Sequence, residues 1–308
     1  MSDRHKVGLV GARGHTGAEI AQLIQGHPSL DLVFASSREL AGQPVPGFDD
    51  LEFESMAPDE MANRNVDVVI LALPDGASGP YIDVISDDQV IVDISADHRF
   101  DPEWAYGLPE LQRDRLHGAT RIANPGCYAT AMQIALAPLV ELSNGVPAVF
   151  GVSGYSGAGA APGPRNDTER LRDNLMPYKL VGHNHEKEAV RHLGIPVRFM
   201  PHVHPAFRGL IVTAHVPLAQ TITTGEVEAR FDKWFGSEPL IEFTEEIPEL
   251  RDGTGRLGVL IGGFATSDDG LNVVLVAALD NLLKGAAVQA IQNVNLALGI
   301  GELEGIVT

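Results

Sequence analysis

Apolar positions fall into two regimes along the chain. In the first half, short and nearly continuous apolar runs at residues 6–10, 30–35, 66–73 and 90–94 alternate with more polar stretches. Such runs suit strands covered on both faces of a parallel sheet. Residues 17–25 instead place Ile20, Leu23 and Ile24 on one face of a helix. The alternation predicts a doubly wound, Rossmann-type α/β domain. After about residue 145 the pattern changes. Residues 197–204 and 210–216 read as strands, and 257–265 and 271–279 flank Ser267-Asp268-Asp269-Gly270, a hairpin turn. This predicts an α+β domain with a mostly antiparallel sheet. Residues 282–298 return to helical spacing through Leu283, Ala287, Ile291, Val294 and Leu298. The expected division is a first domain of residues 1–126 completed by 281–308, with a catalytic and oligomerisation domain at 127–280.

Composition narrows the picture. The 308 residues carry 22 Lys+Arg against 41 Asp+Glu, a net charge of −19, with 44% hydrophobic residues. That is a globular balance, and its acidity disfavours nucleic acid and anionic membranes as partners. No apolar stretch reaches the roughly 18 residues a membrane helix needs. The N-terminus runs straight into a strand without space for a signal peptide, so a cytoplasmic protein is expected. One cysteine builds neither a disulfide framework nor a Cys-based zinc site. It is a small buried hydrophobe or a reactive thiol, and composition does not choose.

Gly11-Ala12-Arg13-Gly14-His15-Thr16-Gly17 lies between the first strand and the first helix. Glycines there permit a tight turn and close approach to a pyrophosphate, which the helix N-terminus favours. The spacing is Gly-x-x-Gly-x-x-Gly, and its position gives it more weight than its letters. The second strand ends Ser36-Ser37-Arg38, without the acidic residue that usually binds the ribose of NAD. Hydroxyls with Arg38 and Arg13 suit a 2′-phosphate, so NADP is the expected cofactor.

Asn124-Pro125-Gly126-Cys127 precedes an apolar stretch of helical composition, placing Cys127 near a helix N-terminus. Helix N-termini favour the thiolate, the reactive form. A lone cysteine in apolar surroundings is often structural; placement at a domain junction favours the nucleophile.

These segments occur in order with Ser153-Gly154-Tyr155-Ser156-Gly157, Gly182-His183-Asn184-His185-Glu186, Pro201-His202-Val203-His204-Pro205, Arg208-Gly209 and Asp280-Asn281-Leu282-Leu283-Lys284-Gly285. Over essentially its whole length the chain resembles the N-acetyl-γ-glutamyl-phosphate reductases of arginine biosynthesis, with aspartate-semialdehyde dehydrogenase nearest in mechanism. The resemblance implies NADPH-dependent reduction of an acyl phosphate to an aldehyde, through a thioester on Cys127. It implies an acid/base in the first His-x-His pair, His183 ahead of His185. Arg208, Arg165, Asn124, Ser153, Gly154 and His202 are the implied substrate contacts. Asn281 and Lys284 are implied to join His15, Thr16 and the rest of the glycine loop at the cofactor. Two local departures are Asn184, where the family usually has Arg, and Tyr155 in the loop that more often reads Val-Ser-Gly-Ala-Gly. The implied partners are a small acyl phosphate and further copies of the chain, as a dimer or tetramer.

Three other readings stand beside this one. Aspartyl phosphate or a carrier-bound acyl phosphate are alternative substrates. A non-catalytic NADP sensor would have an unreactive Cys127. The two His-x-His pairs would suit a zinc hydrolase, but no carboxylate motif accompanies them, and no metal is expected.

Overall fold

The computed structural model describes residues 4–306; Met1–Asp3, where the leaderless start is read, and Val307–Thr308 lie outside that range. The chain divides into two compact units, Met1–Pro125 with Ala286–Thr308, and Gly126–Gly285.

The first unit runs β1 (His5–Val10), α1 (His15–Gln25), β2 (Leu30–Ser36), β3 (Phe53–Glu54), α2 (Pro58–Met61), β4 (Val68–Leu71), α3 (Gly79–Ile82), β5 (Val90–Asp93), β6 (Ala105–Tyr106), α4 (Pro109–Leu116) and β7 (Arg121–Ala123). Its sheet has the order β3-β2-β1-β4-β5-β7-β6, with every pairing parallel. All four residues of β4 and of β5 are buried, as their unbroken apolar runs require. Strand order reverses between β1 and β4. In open α/β sheets the ligand crevice lies at such a point, beyond the carboxyl ends of the strands.

The second unit runs α5 (Cys127–Leu136), β8 (Ala148–Gly154), α6 (Thr168–Leu171), β9 (Met176–Pro177), α7 (Asn184–Leu193), β10 (Arg198–His204), β11 (Leu210–Pro217), α8 (Thr224–Phe235), β12 (Ile241–Phe243), α9 (Leu250–Gly253), β13 (Val259–Thr266) and β14 (Asn272–Leu279). Its sheet order is β12-β13-β14-β11-β8-β10-β9. The expected mostly antiparallel sheet is in fact mixed. β11 and β14 pair antiparallel along their whole length, but β8 pairs parallel with β10, and β12 with β13. The parallel pairs arise where a helix intervenes: α7 lies between β8 and β10, and α9 between β12 and β13. The hairpin turn at Ser267–Gly270 forms as read, closed by Ser267 N–H on the Asn272 carbonyl, with Gly270 at φ +67°.

α5 is buried from Tyr128 to Leu136 and packs on β11 and β14, covering one face of this sheet. On the other face Phe150 stands 37% exposed and Met200 41% exposed, directly paired across β8 and β10.

The segment read as one helix over 282–298 splits. Leu283–Ala287 form a π-helical turn, and only then does α10 (Val288–Leu298) begin, packing on β5, α1 and α4 of the first unit. The wide turn is closed by Gly285 N–H on the Asp280 carbonyl, 2.9 Å. Such π-turns concentrate at functional sites.

Candidate active site

At the nucleotide end the three loop glycines do different work. Gly11 has φ +83° and lies against the Ala72 carbonyl, so only glycine makes this turn. A Cβ on Gly17 would sit 2.5 Å from the Gly11 carbonyl oxygen and 2.8 Å from Ala12 Cα, so Gly17 brings α1 onto the loop. A Cβ on Gly14 would meet only the Gly11 oxygen, at 3.5 Å. Gly14 is therefore spare in packing terms and open to a ligand. It is also the N-cap of α1, without a side-chain cap or an acidic residue in the first turn, so the positive helix end stands uncovered beside His15, Thr16 and Gly17. Ser36 Oγ accepts the Gly11 N–H at 3.3 Å, Ser37 Oγ accepts the Leu40 N–H, and Arg38 is exposed. Arg13 pairs with Glu39 at 2.8 Å. These residues fit a dinucleotide: a glycine cradle under a helix N-terminus, with guanidinium groups beside the end of β2.

In the second unit, Pro125 bars helix before it and Gly126 is the extended N-cap, so α5 starts at Cys127. The thiol residue is partly exposed. Behind it stands Gly285, whose hypothetical Cβ would lie 2.7 Å from Cys127 Cβ. Glu188 of α7, completely buried, accepts the Gly126 N–H at 2.9 Å.

The two histidines of the first pair open a helix. His183 is the N-cap of α7, and its Nδ1 accepts the His185 N–H at 3.1 Å. Its remaining proton is thus on Nε2, which lies 3.3 Å from the Tyr178 hydroxyl. Burial, with Lys179 and Arg165 nearby, lowers His183 to about 4. The Tyr128 ring meets His183 edge-on at 6.4 Å and His185 at 6.1 Å. Burial pushes the Tyr178 phenol up, and charge on Cys127 raises it further. The Arg165 guanidinium lies over the Tyr178 ring, 4.9 Å from its centre.

Arg208 faces the buried Asp280, with Nη1 3.6 Å from Oδ2. Gly154 allows the 207–208 backbone to approach, since a Cβ there would stand 2.7 Å from Arg208 Cα. Ser153 is buried beside it. Asn281 accepts the Gly209 N–H at 3.0 Å and donates to Ser156 Oγ at 2.9 Å.

Known proteins resemble the chain across both units. The family model "Semialdehyde dehydrogenase, NAD binding domain" matches residues 6–119, and "Semialdehyde dehydrogenase, dimerisation domain" matches 127–281. A protein of Xanthomonas campestris named N-acetyl-gamma-glutamyl-phosphate reductase is 53% identical over 97% of this chain and 98% of its own length. One of that name from Xylella fastidiosa is 50% identical over 97% of the chain and 94% of its own. The chain belongs to the N-acetyl-γ-glutamyl-phosphate reductase family. In fold it is similar to aspartate semialdehyde dehydrogenase II from Vibrio cholerae, with a TM-score of 0.81 and 19% identity over 97% of this chain and 99% of that one.

Within this family member, burial and bonding set the surroundings of several expected contacts. Asn124 is fully buried, its Nδ2 on the Ala286 carbonyl at 3.2 Å and its Oδ1 taking Asn293 Nδ2 at 3.0 Å. It ties β7 to α10 and does not face a ligand. His202 points to the open face of the sheet, its ring 4.4 Å from Phe150. Strand alternation puts Phe199 and Val203 on the other face, and Phe199 is the residue that packs on Tyr128. Only the His202 carbonyl reaches the site's surroundings, accepting the Tyr128 hydroxyl at 2.7 Å. Lys284 is completely buried. Asn281 gives one N–H to Ser156 and takes the Gly209 N–H on its oxygen. His183, ranked ahead of His185, is neutral at pH 7 and capping a helix, which suits it poorly to proton donation.

Sequence reasoning missed Glu188, Tyr178 and Arg99. Arg99 is buried and donates to the Asn124 carbonyl at 2.8 Å and the Ile94 carbonyl at 2.7 Å. α7 reads Asn-His-Glu-Lys-Glu-Ala-Val-Arg-His-Leu, and nothing in so polar a helix singles out Glu188 as its buried carboxylate. Among the described residues no group of three His, Cys, Asp or Glu gathers as a metal site, and no helix is long and apolar enough to cross a membrane.

Proposed function

We propose that this chain reduces N-acetyl-γ-glutamyl phosphate to N-acetylglutamate semialdehyde through a thioester on Cys127, a step of arginine biosynthesis, with NADPH as reductant. The observation that supports the reading is Cys127 at the first position of α5, backed by Gly285, with the ring of the next residue, Tyr128, set against His183 and His185. The Cys127 thiolate attacks the acyl carbon, and the carbon–oxygen bond to phosphate breaks, leaving a thioester. NADPH, held by Gly11, Arg13, Gly14–Gly17, Ser36, Ser37 and Arg38, supplies the hydride when bound. Collapse of the thiohemiacetal on Cys127 then releases aldehyde and thiolate. A thioester keeps the carbon electrophilic and fixed in place, which converts a bimolecular step into an intramolecular one.

His185 is the acid/base in this reading, with His183 holding it in place. The Nδ1 of His183 accepts from the His185 main chain, and its lowered pKa keeps the ring neutral at pH 7, without the imidazolium that would donate a proton. Arg208 binds the substrate carboxylate or phosphate, because a guanidinium fork matches either group. Arg165 and the Ser153–Gly154 backbone complete the substrate side. The lack of an acidic residue at the end of β2, with Arg38 exposed there, supports NADP over NAD.

The open face of the second sheet, with Phe150 and Met200 paired across β8 and β10, supports self-association of this unit as a homodimer. The cofactor and substrate are cytoplasmic metabolites, and we place the enzyme in that compartment. The test is phosphate-dependent NADP reduction with N-acetylglutamate semialdehyde, run beside aspartate semialdehyde. Cys127→Ser is expected to abolish turnover while NADPH binding persists. Full activity in that variant, or preference for aspartate semialdehyde, overturns the reading.

A further inference from the structure

Asp280, directly after β14, is a completely buried carboxylate on which three stretches converge: the 282–285 turn, Gly255 and Arg208. Its Oδ1 accepts the Leu282 N–H at 2.8 Å and the Leu283 N–H at 3.2 Å, opening the π-turn. Its carbonyl accepts the Gly285 N–H at 2.9 Å, and Gly285 is the wall behind Cys127. Its Oδ2 accepts the Gly255 N–H at 2.7 Å and faces Arg208 Nη1 at 3.6 Å.

The three main-chain N–H groups already use both carboxylate oxygens, so an asparagine would answer Leu282 and Leu283 but turn an NH2 on the Gly255 N–H. A full negative charge in a buried place is costly, and burial of it is tolerated where a cation answers it. Arg208 is that cation, with a side chain 22% exposed against 0% for Asp280. At 3.6 Å the pair is longer than a hydrogen bond and restrains the guanidinium electrostatically from one side. The same residue thus sets the wall behind the nucleophile and the tilt of the arginine.

The geometry points to Asp280 as a positioning residue for the reduction: it holds Arg208 in register with Cys127, so that the substrate's anionic end is gripped while its acyl carbon meets the thiol. This rests on the proposal that Arg208 binds the substrate anion. Asp280 touches no reacting atom and acts through Arg208 and Gly285.

The test compares full-length D280N, R208Q and the double variant in phosphate-dependent NADP reduction with N-acetylglutamate semialdehyde. The carboxamide of D280N keeps an acceptor for the Leu282 and Leu283 N–H groups, loses the one for Gly255 and removes the charge. D280N is expected to raise KM at least tenfold with kcat within about threefold, and to leave NADPH affinity unchanged by calorimetry. R208Q is expected to raise KM at least as far, and the double variant no further than R208Q alone, because the two groups act as one unit. KM effects that multiply in the double variant, or D280N with unchanged KM beside an impaired R208Q, overturn the positioning role. An unimpaired R208Q overturns the reading of Arg208 beneath it. Should D280N fail to fold, the wild type still decides. Nitrogen-resolved NMR of Arg208, assigned by its loss in R208Q, is expected to show separate, slowly rotating Nη protons without substrate. Averaged Nη signals overturn the proposal.

Discussion

Gly285 and Cys127 are in contact through backbone that no side chain could replace: a Cβ built on Gly285 would stand 2.7 Å from Cys127 Cβ and 3.3 Å from Cys127 Cα. The neighbours are a Cβ and a main-chain carbon, which have little freedom to give way. Gly285→Ala should therefore move the start of α5 by a few tenths of an ångström or more. Placement errors of about 1 Å cost about a hundredfold in rate. The expected outcome is a loss of at least tenfold in kcat for the proposed reaction, with NADPH affinity kept. Full activity in Gly285→Ala would show that this packing does not govern the thiol.

The glycine loop gives a pair of substitutions with opposite signatures. Gly17→Ala forces a methyl within 2.5 Å of the Gly11 oxygen, so overpacking should cost about 1–3 kcal/mol and lower the melting temperature. Gly14→Ala meets only an ordinary contact at 3.5 Å, so the apo protein should melt unchanged. The methyl instead occupies the space through which a pyrophosphate would approach the helix end. NADPH affinity is expected to fall at least tenfold in Gly14→Ala alone, read by calorimetry beside thermal melting. Unchanged affinity would remove the pyrophosphate from this loop.

Much of this is legible in the chain itself. Unbroken apolar runs at β4 and β5 could only be strands buried on both faces, and the glycine loop is marked by lying between β1 and α1. What periodicity cannot carry is side-chain direction and bond partners. His202 looks like a site residue by its neighbours Pro201 and Val203, yet strand alternation turns it away to Phe150. Asn124 stands three residues before Cys127, but its amide is consumed by Ala286 and Asn293, more than 160 positions away. The helical spacing of 282–298 is real, and only the Asp280 side chain, bonding Leu282 and Leu283, explains why α-helix begins six residues late, at Val288.

The open sheet face makes a prediction separable from catalysis. Phe150 and Met200 lie on the face opposite α5, directly paired in register. A charge there would be desolvated in a dimer but harmless in a monomer. Met200→Glu should shift sedimentation from dimer to monomer at micromolar concentration, while the secondary structure seen by circular dichroism stays intact. A variant that sediments like the wild type would place self-association on another surface.

His183 makes the chain's stability depend on pH with a definite sign. Folded, it titrates at about 4, held down by burial first and then by Lys179 and Arg165; unfolded, an imidazole titrates near 6.5. Between these values the unfolded chain binds more protons than the folded one, so stability rises with pH. The contribution is fully present above about pH 6.5 and is lost as pH falls through that window towards 4. The full difference corresponds to at most about 3 kcal/mol. His183→Asn keeps an acceptor for the His185 N–H but does not titrate there. Acidification from pH 7 to 4.5 should therefore cost the wild type more unfolding free energy than the variant, measured by urea titration. Carbon-detected NMR should put the His183 midpoint near 4, and the acid limb of kcat/KM should stay where it is in His183→Asn. A midpoint near 6.5 for His183 would return it to contention as the proton donor and would require the capping bond to His185 to open in solution.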